Sequence, residues 1–384
     1  DSANQNAPLE ISSINYTGLH RTENELADKD AIDETIAGAD ITYYNPLFTL
    51  GVSGNYTRLS APLNKDISPY EIYDFNNDKL INAGVHYSAL IRNILFFGET
   101  AISDNKKVGA LNGLIIPLDS RVDITVLHRY YDKAYQTLYA NAFSENSTPQ
   151  NEQGVYTGIE IRPKKSIKFA GYMDTYKHPW LEYDADAPSS GTDFMGQITY
   201  QPSKIFQTYF RIKKEVWQAN ASPEIQGDIP HDILTDIAKT NIRWHMEYKV
   251  QQTIVLRSRV EFTMYNEHFA EPQKGYIMYQ DVNYKPLNTR FAFYTRIAVF
   301  NTDSYDTRLY TYESELLYAY SITNFSGRGT RKYFLLQYSP TRWLDLWFKI
   351  AETVYSDREE IGSGNDLIDG NKKTEAKLQM RLKW

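Results

Sequence analysis

The last ten residues, 375–384, read EAKLQMRLKW and alternate between polar and apolar side chains without a break. The apolar positions are Ala376, Leu378, Met380, Leu382 and Trp384. Successive side chains of a β-strand point to opposite faces, so this segment forms a strand with one apolar and one charged face. A strand that lies between lipid and a wet interior requires this pattern. The segment therefore predicts a membrane-embedded strand at the end of the chain.

The chain ends on an aromatic residue at the end of that strand. In this respect the segment resembles the C-terminal strands of outer-membrane barrels, where the terminal strand acts as the assembly signal. The resemblance predicts that Leu378, Met380, Leu382 and Trp384 form such a signal. The match lacks the upstream Gly of many such signals, because Ala376 or Lys377 occupies that position.

The same alternation recurs at 155–162, 241–250, 252–264, 290–299 and 343–350. Short connections that contain Pro, Asn or Asp alternate with long polar links, as the connections at the two ends of an outer-membrane barrel do. The fold class predicted is therefore all-β, a transmembrane antiparallel β-barrel of the outer-membrane type with about 16–20 strands. Closure with both termini on the periplasmic side requires an even number of strands.

Two boundaries of the predicted barrel are ambiguous in the sequence. Residues 1–35 are an N-terminal segment that forms either a first strand or a periplasmic or lumenal tail, and residues 36–384 form the barrel. The stretch 305–322 forms either one strand of the barrel or a short hairpin. Taking it as a hairpin brings the count to about 20 strands.

Composition agrees with an envelope protein and excludes several other classes. The chain has 384 residues, of which 14% are aromatic, and it contains no Cys. Because no run of about 18 apolar residues occurs, transmembrane helices are excluded. The net charge of −7 argues against a general nucleic-acid coat. Tyr and Trp cluster near predicted strand ends, either as two interfacial girdles or through the ordinary strand propensity of aromatic residues.

The inward faces of four C-terminal segments are basic although the whole chain is acidic. The lumen-lining basic residues predicted are Arg243, Lys249, Arg257, Arg259, Arg290, Arg296 and Arg381. A lumen lined by one sign of charge selects ions or polar anions. The alternative is a network of Arg–Glu pairs that fills and stiffens the barrel, with acids on other strands neutralising the wall.

The long link 131–152 is the candidate constriction loop. Its aromatic residues Tyr135, Tyr139 and Phe143 lie among polar neighbours. A porin usually folds one long loop inward, whereas a plugged transporter has a separate domain for which this chain has no room. The absence of a plug and the many strands favour a filled barrel that works as an assembly partner over an open one.

Signals of enzymatic activity are weak. The seven His are dispersed, and the sequence has no HExxH, GxSxG or P-loop motif. His86 with Ser88 and His245 with Glu247 are i, i+2 pairs on one strand face, which we interpret as lumen-facing polar pairs. Acidic loops have no EF-hand spacing, and turn chemistry explains them better than a metal site. No catalytic residue, metal or cofactor is therefore predicted.

Several stretches are similar to a poorly characterised Bacteroidota family, whose members carry an N-terminal helix-hairpin-helix region and a C-terminal outer-membrane barrel. The stretches are residues 18–23, 138–143, 187–191, 279–286, 342–347, 361–364 and 368–371. They correspond to loops and turns and mark no known site. The helix-hairpin-helix part, which would suggest DNA contact, is absent from this sequence, so the resemblance implies no nucleic-acid partner for these residues.

These patterns together predict a non-enzymatic protein of the outer membrane of a Gram-negative bacterium. The expected role is a structural or accessory subunit of a larger outer-membrane transport or assembly machine. The alternative is a porin-like channel with a basic lumen for small polar or anionic solutes, and a remote alternative is an outer-membrane hydrolase. Expected partners are outer-membrane lipid and lipopolysaccharide, and other outer-membrane proteins or lipoproteins.

Overall fold

The computed structural model describes residues 10–14, 18–221 and 233–384. Among these residues, 21 strands and one short α-helix, α1 (Glu23–Ala27), are formed. Seventeen strands belong to one large sheet. They are β1 (Glu34–Tyr44), β2 (Phe48–Leu59), β3 (Lys79–Ile91), β4 (Ile94–Ser103), β5 (Val108–Asp119), β6 (Val122–Tyr131), β7 (Glu152–Lys164), β8 (Ile167–His178), β9 (Ser189–Ser203), β10 (Phe206–Ala221), β11 (Ile233–Gln251), β12 (Ile254–Glu267), β13 (Gln273–Tyr284), β14 (Phe291–Thr302), β17 (Arg328–Thr341), β18 (Leu344–Tyr355) and β21 (Lys372–Leu382).

The remaining strands are short and form two small hairpins. They are β15 (Leu309–Glu313) with β16 (Ser321–Phe325), and β19 (Glu360–Ile361) with β20 (Ile368–Asp369). Two single turns of 3-10 helix occupy Pro69–Glu71 and Gly364–Asp366. No helix in the described part of the chain is long and apolar enough to cross a membrane.

The chain divides into two compact units. The first unit contains residues 1–159, 173–192 and 217–234, and the second contains 160–172, 193–216 and 235–384. In the first unit β1 to β6 pair in chain order, each antiparallel to the next. In the second unit β11, β12, β13, β14, β17, β18 and β21 pair antiparallel in that order.

In the second unit the apolar face of the sheet is exposed and the charged face is buried, which is the reverse of a sheet in a water-soluble protein. Apolar side chains cover the exposed face, where Ile297 is 65% and Leu378 is 76% accessible. The opposite face buries charged groups, and Arg296 and Asp281 are each only 3% accessible. A water-soluble sheet hides its apolar face and solvates its charged one, so this arrangement requires lipid on the exposed side.

The first unit shows the same inversion on β2 and β3. Leu50, Val52 and Val85 are exposed, whereas the other face carries polar residues such as Asn82 and His86. Each unit thus has the alternation that a membrane-embedded strand requires. The predicted fold class, an all-β outer-membrane β-barrel, is confirmed. The 17 strands fall within the predicted range of 16 to 20, although the expected even number is not found among the described residues.

In its described part, the N-terminal segment has no strand of the large sheet before Glu34. Residues 10–14 and 18–33 contain α1 and an isolated bridge between Ile11 and Leu63, and β1 begins only at Glu34. Residues 1–9 and 15–17 of this segment lie outside the described residues. Thr22 caps α1 by accepting a hydrogen bond from the backbone N–H of Glu25. Residues 10–14 and 18–33 therefore differ from the first-strand alternative.

The stretch 305–322 forms the short hairpin of the two alternatives. It contains β15 and the first two residues of β16, which pair in a separate two-stranded sheet, so these strands do not add to the strand count of the large sheet. Its Leu309, Thr311 and Glu313 alternate as a wall strand would. The period alone therefore could not separate a wall strand from a hairpin that lies against the wall.

A lysine on the exposed apolar face tests whether this face meets lipid. We expect Ile297→Lys to destabilise folding into lipid vesicles by about 2–4 kcal/mol, because the lysine enters the hydrocarbon. Ile322→Lys in β16 is the matched control, since Ile322 is similarly exposed at 70% but lies on the small hairpin. Its effect should stay within about 0.5 kcal/mol. Folding free energies from urea titrations in vesicles would measure both, and equal effects would contradict a lipid-facing Ile297.

Candidate functional site

The segment between β14 and β17, residues 303–327, folds back against the charged face of the sheet in the second unit. We call it the inner hairpin. Its Leu309 and Phe325 join a buried cluster with Ile277, Ala298 and Phe300 of the sheet. The rings of Phe300 and Phe325 meet edge to face with centroids 5.2 Å apart. This cluster fixes the base of the inner hairpin through apolar packing.

Gly327 makes the return from the inner hairpin to β17 possible. Its φ of +86° lies in the left-handed region, which a residue with a side chain rarely adopts. An added Cβ would also collide with Arg358 and with the Asp357 carboxylate at 2.5 Å. The backbone N–H of Gly327 donates to the hydroxyl of Thr302 at 2.7 Å, which ties the end of the hairpin to the end of β14.

Buried ion pairs hold the tip of the inner hairpin. Both carboxylate oxygens of Glu313, which is inaccessible to solvent, bind Arg331 of β17, at 2.8 and 3.0 Å. The same carboxylate lies 3.4 Å from Nζ of Lys349 on β18. A fork-to-fork Arg–carboxylate pair is a strong and directional contact. Glu313 therefore fixes the hairpin against two neighbouring strands.

Glu315 makes a second set of charged contacts. Its Oε2 lies 2.9 Å from Nζ of Lys349 and 2.9 Å from Nζ of Lys377 on β21. Gln379 of β21 donates from its amide to the carbonyl of Leu317 at 2.9 Å. Together with Glu313, these contacts join the hairpin to β17, β18 and β21. Burial opposes the ionisation of both glutamates. The hydrogen bond from Arg331 and the positive charges of Arg331 and Lys349 nevertheless lower the pKa of Glu313, and the hydrogen bonds from Lys349 and Lys377 lower the pKa of Glu315.

Four of the predicted lumen-lining residues form pairs with acids. Arg243 binds Glu261 through two hydrogen bonds of 2.7 and 2.8 Å, Arg257 binds Glu247 at 2.8 Å, Arg296 binds Asp281 at 2.6 and 2.8 Å, and Arg381 binds Asp345. Arg296 also donates to the hydroxyl of Thr311 on the inner hairpin at 2.8 Å. At these four positions the structure contains the network of charge pairs that the sequence offered as the alternative to a free basic wall.

Arg259 differs from these four residues. Its guanidinium lies over the ring of Tyr279, 5.3 Å from the centroid. Its Nε is buried and has no hydrogen-bond partner among the described residues. In the register of β11 and β12 the residue opposite is His245, not an acid. Among the described residues, Arg259 thus contacts an aromatic ring and forms no ion pair with an acid.

Two further residues of the predicted basic wall lie at its edge. Arg290 is exposed and precedes the first residue of β14, where its carbonyl accepts from the backbone N–H of Ser339. Lys249 is exposed near the end of β11, and its backbone N–H donates a hydrogen bond to the backbone carbonyl of Ile205. The sequence alternation extends to both residues, but the regular strand pairing does not. The β11–β12 register shifts between Lys249 and Gln251, and β14 begins only after Arg290.

In the first unit, the candidate constriction loop lies with other long loops. Gln136 donates from its amide to the carbonyls of Tyr73 and Asp74 at 3.0 and 3.1 Å, and Trp180 donates from its ring to the carbonyl of Pro69 at 3.1 Å. Between these loops lies a cavity of about 560 Å³. Burial raises the pKa of Glu182, which lines it.

The three aromatic residues proposed for the constriction have different surroundings. Tyr135 is buried against Gly109, and burial raises the pKa of its hydroxyl. Tyr139 is 44% exposed, and its hydroxyl donates to Glu34. The ring of Phe143 lies 5.2 Å from the guanidinium of Arg129. Arg129 is itself fully buried and bound by Glu152 and Asp174, so the loop is anchored by packing and charge.

The C-terminal strand lies at the edge of the same charged network. Leu378, Met380 and Leu382 are exposed on the apolar face, whereas Trp384 is exposed beyond the end of β21 at Leu382. Between them, Lys377 and Arg381 point to the charged face and bind Glu315 and Asp345. Within the described residues no group of three His, Asp or Glu is placed to hold a metal ion.

The alternation identifies some of the acids that pair with the basic wall, such as Glu247 and Glu261, because they lie on the same segments as the basic residues. It does not identify Glu313 and Glu315, which lie in a segment that has two interpretations. The signal available for these two was their spacing of two residues in a short segment between two strong strands.

No protein-family model and no curated protein matches the chain. Solved structures of outer-membrane proteins resemble it weakly. An anion-selective porin from Comamonas acidovorans has a TM-score of 0.39 and 8% identity over 91% of this chain and 99% of that one. A loop-deletion mutant of OmpT of Vibrio cholerae has a TM-score of 0.38 and 8% sequence identity, over 92% of this chain and 99% of that one. The copper transporter OprC has a TM-score of 0.45 and 10% sequence identity, over 85% of this chain and 62% of that one. These values are too low to bear on function.

Removing the Glu313 charge tests the anchoring of the inner hairpin. We expect Glu313→Gln to destabilise the folded protein by about 3 kcal/mol, because Arg331 and Lys349 stay buried with a weakened set of partners. Glu360→Gln in the exposed β19 is the control and should change the free energy of unfolding by less than about 0.5 kcal/mol. Urea unfolding of both variants would measure this, and a Glu313→Gln value near that of the control would contradict the anchoring role.

The pH dependence of stability provides a second test. Because the pKa values of Glu313 and Glu315 are lowered in the folded state, their stabilisation is complete above the unfolded glutamate pKa of about 4.3. It is lost as the pH falls below that value through the folded pKa values. We expect the loss of unfolding free energy between pH 7 and pH 3 to be smaller in the double variant Glu313→Gln, Glu315→Gln than in the wild type. Parallel pH profiles would contradict this assignment.

Proposed function

We propose that the protein is an integral β-barrel of the outer membrane without enzymatic activity, and that the inner hairpin keeps it from acting as a wide, open pore. In this role it serves as a structural or accessory subunit of a larger outer-membrane transport or assembly machine. The observation that carries the proposal is the inner hairpin, which is fixed to the charged face by Glu313, Glu315 and a buried apolar cluster.

Three features of the inner hairpin support a fixed obstruction over a mobile gate. Leu309 and Phe325 are almost inaccessible at its base. Glu313 is bound by two cations at its tip, and removing a partner from a buried pair costs several kcal/mol. A segment that opens easily has few buried contacts, and this one has apolar and ionic contacts along its length. A barrel held in this way suits a structural partner better than a high-flux pore.

The location in the outer membrane is supported by the exposed apolar face. Ile297, Leu378 and Met380 are exposed by 61–76%, and all three lie on strands whose opposite face is charged. Outer-membrane barrels have this alternation, because one side of each strand meets lipid and the other meets the interior. The expected partners are accordingly outer-membrane lipid and lipopolysaccharide, with other outer-membrane proteins or lipoproteins.

The second candidate is a narrow porin-like channel for small polar or anionic solutes. It is favoured by the cations of the second unit that have neutral partners, of which Arg259 is one. The hydrolase alternative receives less support. His86 lies 2.9 Å from Asp40, but no serine hydroxyl is within hydrogen-bond reach of its ring among the described residues.

Single-channel conductance with a hairpin deletion separates the two candidates. We expect wild-type protein in a planar bilayer to show small or no current steps. Replacing residues 306–324 by a short Gly-Ser linker should produce much larger steps, because β14 and β17 remain paired while the obstruction is removed. A substitution that leaves the hairpin in place, Glu360→Gln, is the control. Large anion-selective steps in the wild type would contradict the proposal and support the channel.

A further inference from the structure

A small cavity of about 190 Å³ lies on the charged face of the second unit, at the base of the inner hairpin. Strands β10, β11 and β12 supply one side of its lining, and residues 308–310 of the hairpin supply another. Five cations and one carboxylate line it: Arg211, Lys213, Lys239, Arg243, Arg308 and Glu261. A cavity with this excess of one charge attracts the opposite charge.

Two of the five cations are compensated by acids. Arg243 is paired with Glu261 through both ends of its guanidinium. Lys213 lies 3.2 Å from the Asp193 carboxylate and also binds Glu215. These pairs form a neutral or slightly acidic border for the cavity. They contribute little to the attraction of an anion.

The other three cations are held mainly by neutral acceptors. Nε of Arg211 donates to the side-chain carbonyl of Gln197 at 2.7 Å, and Nζ of Lys239 donates to the backbone carbonyl of Asp306 at 2.6 Å. Arg308 donates to the carbonyl of Tyr305 and to the hydroxyl of Tyr310, both at 2.8 Å. A neutral acceptor orients a cation but leaves its charge in place.

The acids near these three cations do not neutralise them. The Asp306 carboxylate is 3.9 Å from Arg308, at the outer limit of an ion pair. In the described part of the chain, no carboxylate lies within 4.0 Å of the charged nitrogens of Arg211 or Lys239 in any ion pair. Arg259, on the same face of β12 as Glu261, adds a further positive charge whose Nε has no acceptor.

We propose that this cavity binds a small oxyanion of the phosphate or sulfate class, held by Arg211, Lys239 and Arg308. The remaining guanidinium N–H groups of two arginines form planar forks that match two oxygens of a tetrahedral oxyanion, and the ammonium adds a point charge. The volume suits an anion of a few non-hydrogen atoms and excludes a nucleotide. Because Arg308 belongs to the inner hairpin and the others to the sheet, the bound anion bridges the two.

The site lies on the charged face of the strands, which lipid does not reach, so its ligand comes from solution and not from a lipid head group. This inference does not depend on whether the protein conducts ions. A filled barrel and a narrow channel can both hold the anion, so the binding test and the conductance test can succeed or fail separately.

Titration of the purified full chain with inorganic phosphate, followed by ³¹P NMR line broadening, tests the site. The experiment is done in detergent micelles at constant ionic strength, with chloride as the exchanged ion. We expect saturable broadening in the wild type and at least a tenfold weaker apparent affinity in Arg211→Gln and in Lys239→Gln. Having two variants keeps the test valid if one of them fails to fold, which circular dichroism would reveal.

Lys204→Gln is the matched control, because Lys204 is an exposed cation in the tight turn after β9 and its removal changes the net charge equally. Its affinity for phosphate should equal that of the wild type. Broadening that does not saturate in the wild type would overturn the proposal. Equal weakening in Lys204→Gln and the cavity variants would also overturn it, since the effect would then reflect net charge alone.

Discussion

A β-strand must place every second side chain on each face, and in a membrane-embedded sheet only one of those faces can be apolar. This constraint makes the other face polar, and the charges that become buried there must find partners at short range. In the second unit the partners come from neighbouring strands, as in Arg296 with Asp281, and from a segment that leaves the sheet, as in Arg331 with Glu313. The inner hairpin thus supplies some of the acidic partners that the buried cations of the sheet require.

The same constraint connects stability to function. A hairpin held only by apolar packing could shift along the sheet, since dispersion contacts are not directional. A fork of hydrogen bonds from Arg331 and contacts from Lys349 fix its position and depth. The cost is the desolvation of these ions, which the geometry must offset. What results is a fixed segment at the inner face together with a few cations, such as Lys239, that keep their charge available.

The wall strands were predictable from sequence because the apolar alternation is long and regular there. The segments at 241–250, 252–264 and 375–384 correspond to β11, β12 and β21, and their apolar sets are on one face. The inner hairpin was not predictable, since Leu309, Thr311 and Glu313 alternate as a wall strand does over a span too short to show what the strand pairs with. Pairing between residues distant in sequence decides that question, and periodicity carries no information about it.

The candidate sites were predictable to a smaller extent. The alternation identifies Arg243, Arg257 and Arg296 as residues of one face, but whether they are free depends on acids from other strands and on the hairpin. Arg290 and Lys249 lie beyond the regular ladder, where a bulge or a turn ends the alternation. The oxyanion cavity needs residues from β10, β11 and the hairpin, which are up to about a hundred residues apart in sequence.

In this structure the apolar face meets lipid while the inner hairpin lies on the opposite, charged face. The chain contains no Cys, so single cysteines introduced at chosen positions can be spin-labelled without background. Spin labels at Phe334, Leu336 and Ile322 are placed in the protein in vesicles, and their collisions with oxygen and with a water-soluble nickel complex are measured by electron paramagnetic resonance. We expect oxygen-accessible labels at Phe334 and Leu336 and a nickel-accessible, oxygen-poor label at Ile322. Strong nickel accessibility at all three positions would contradict this arrangement.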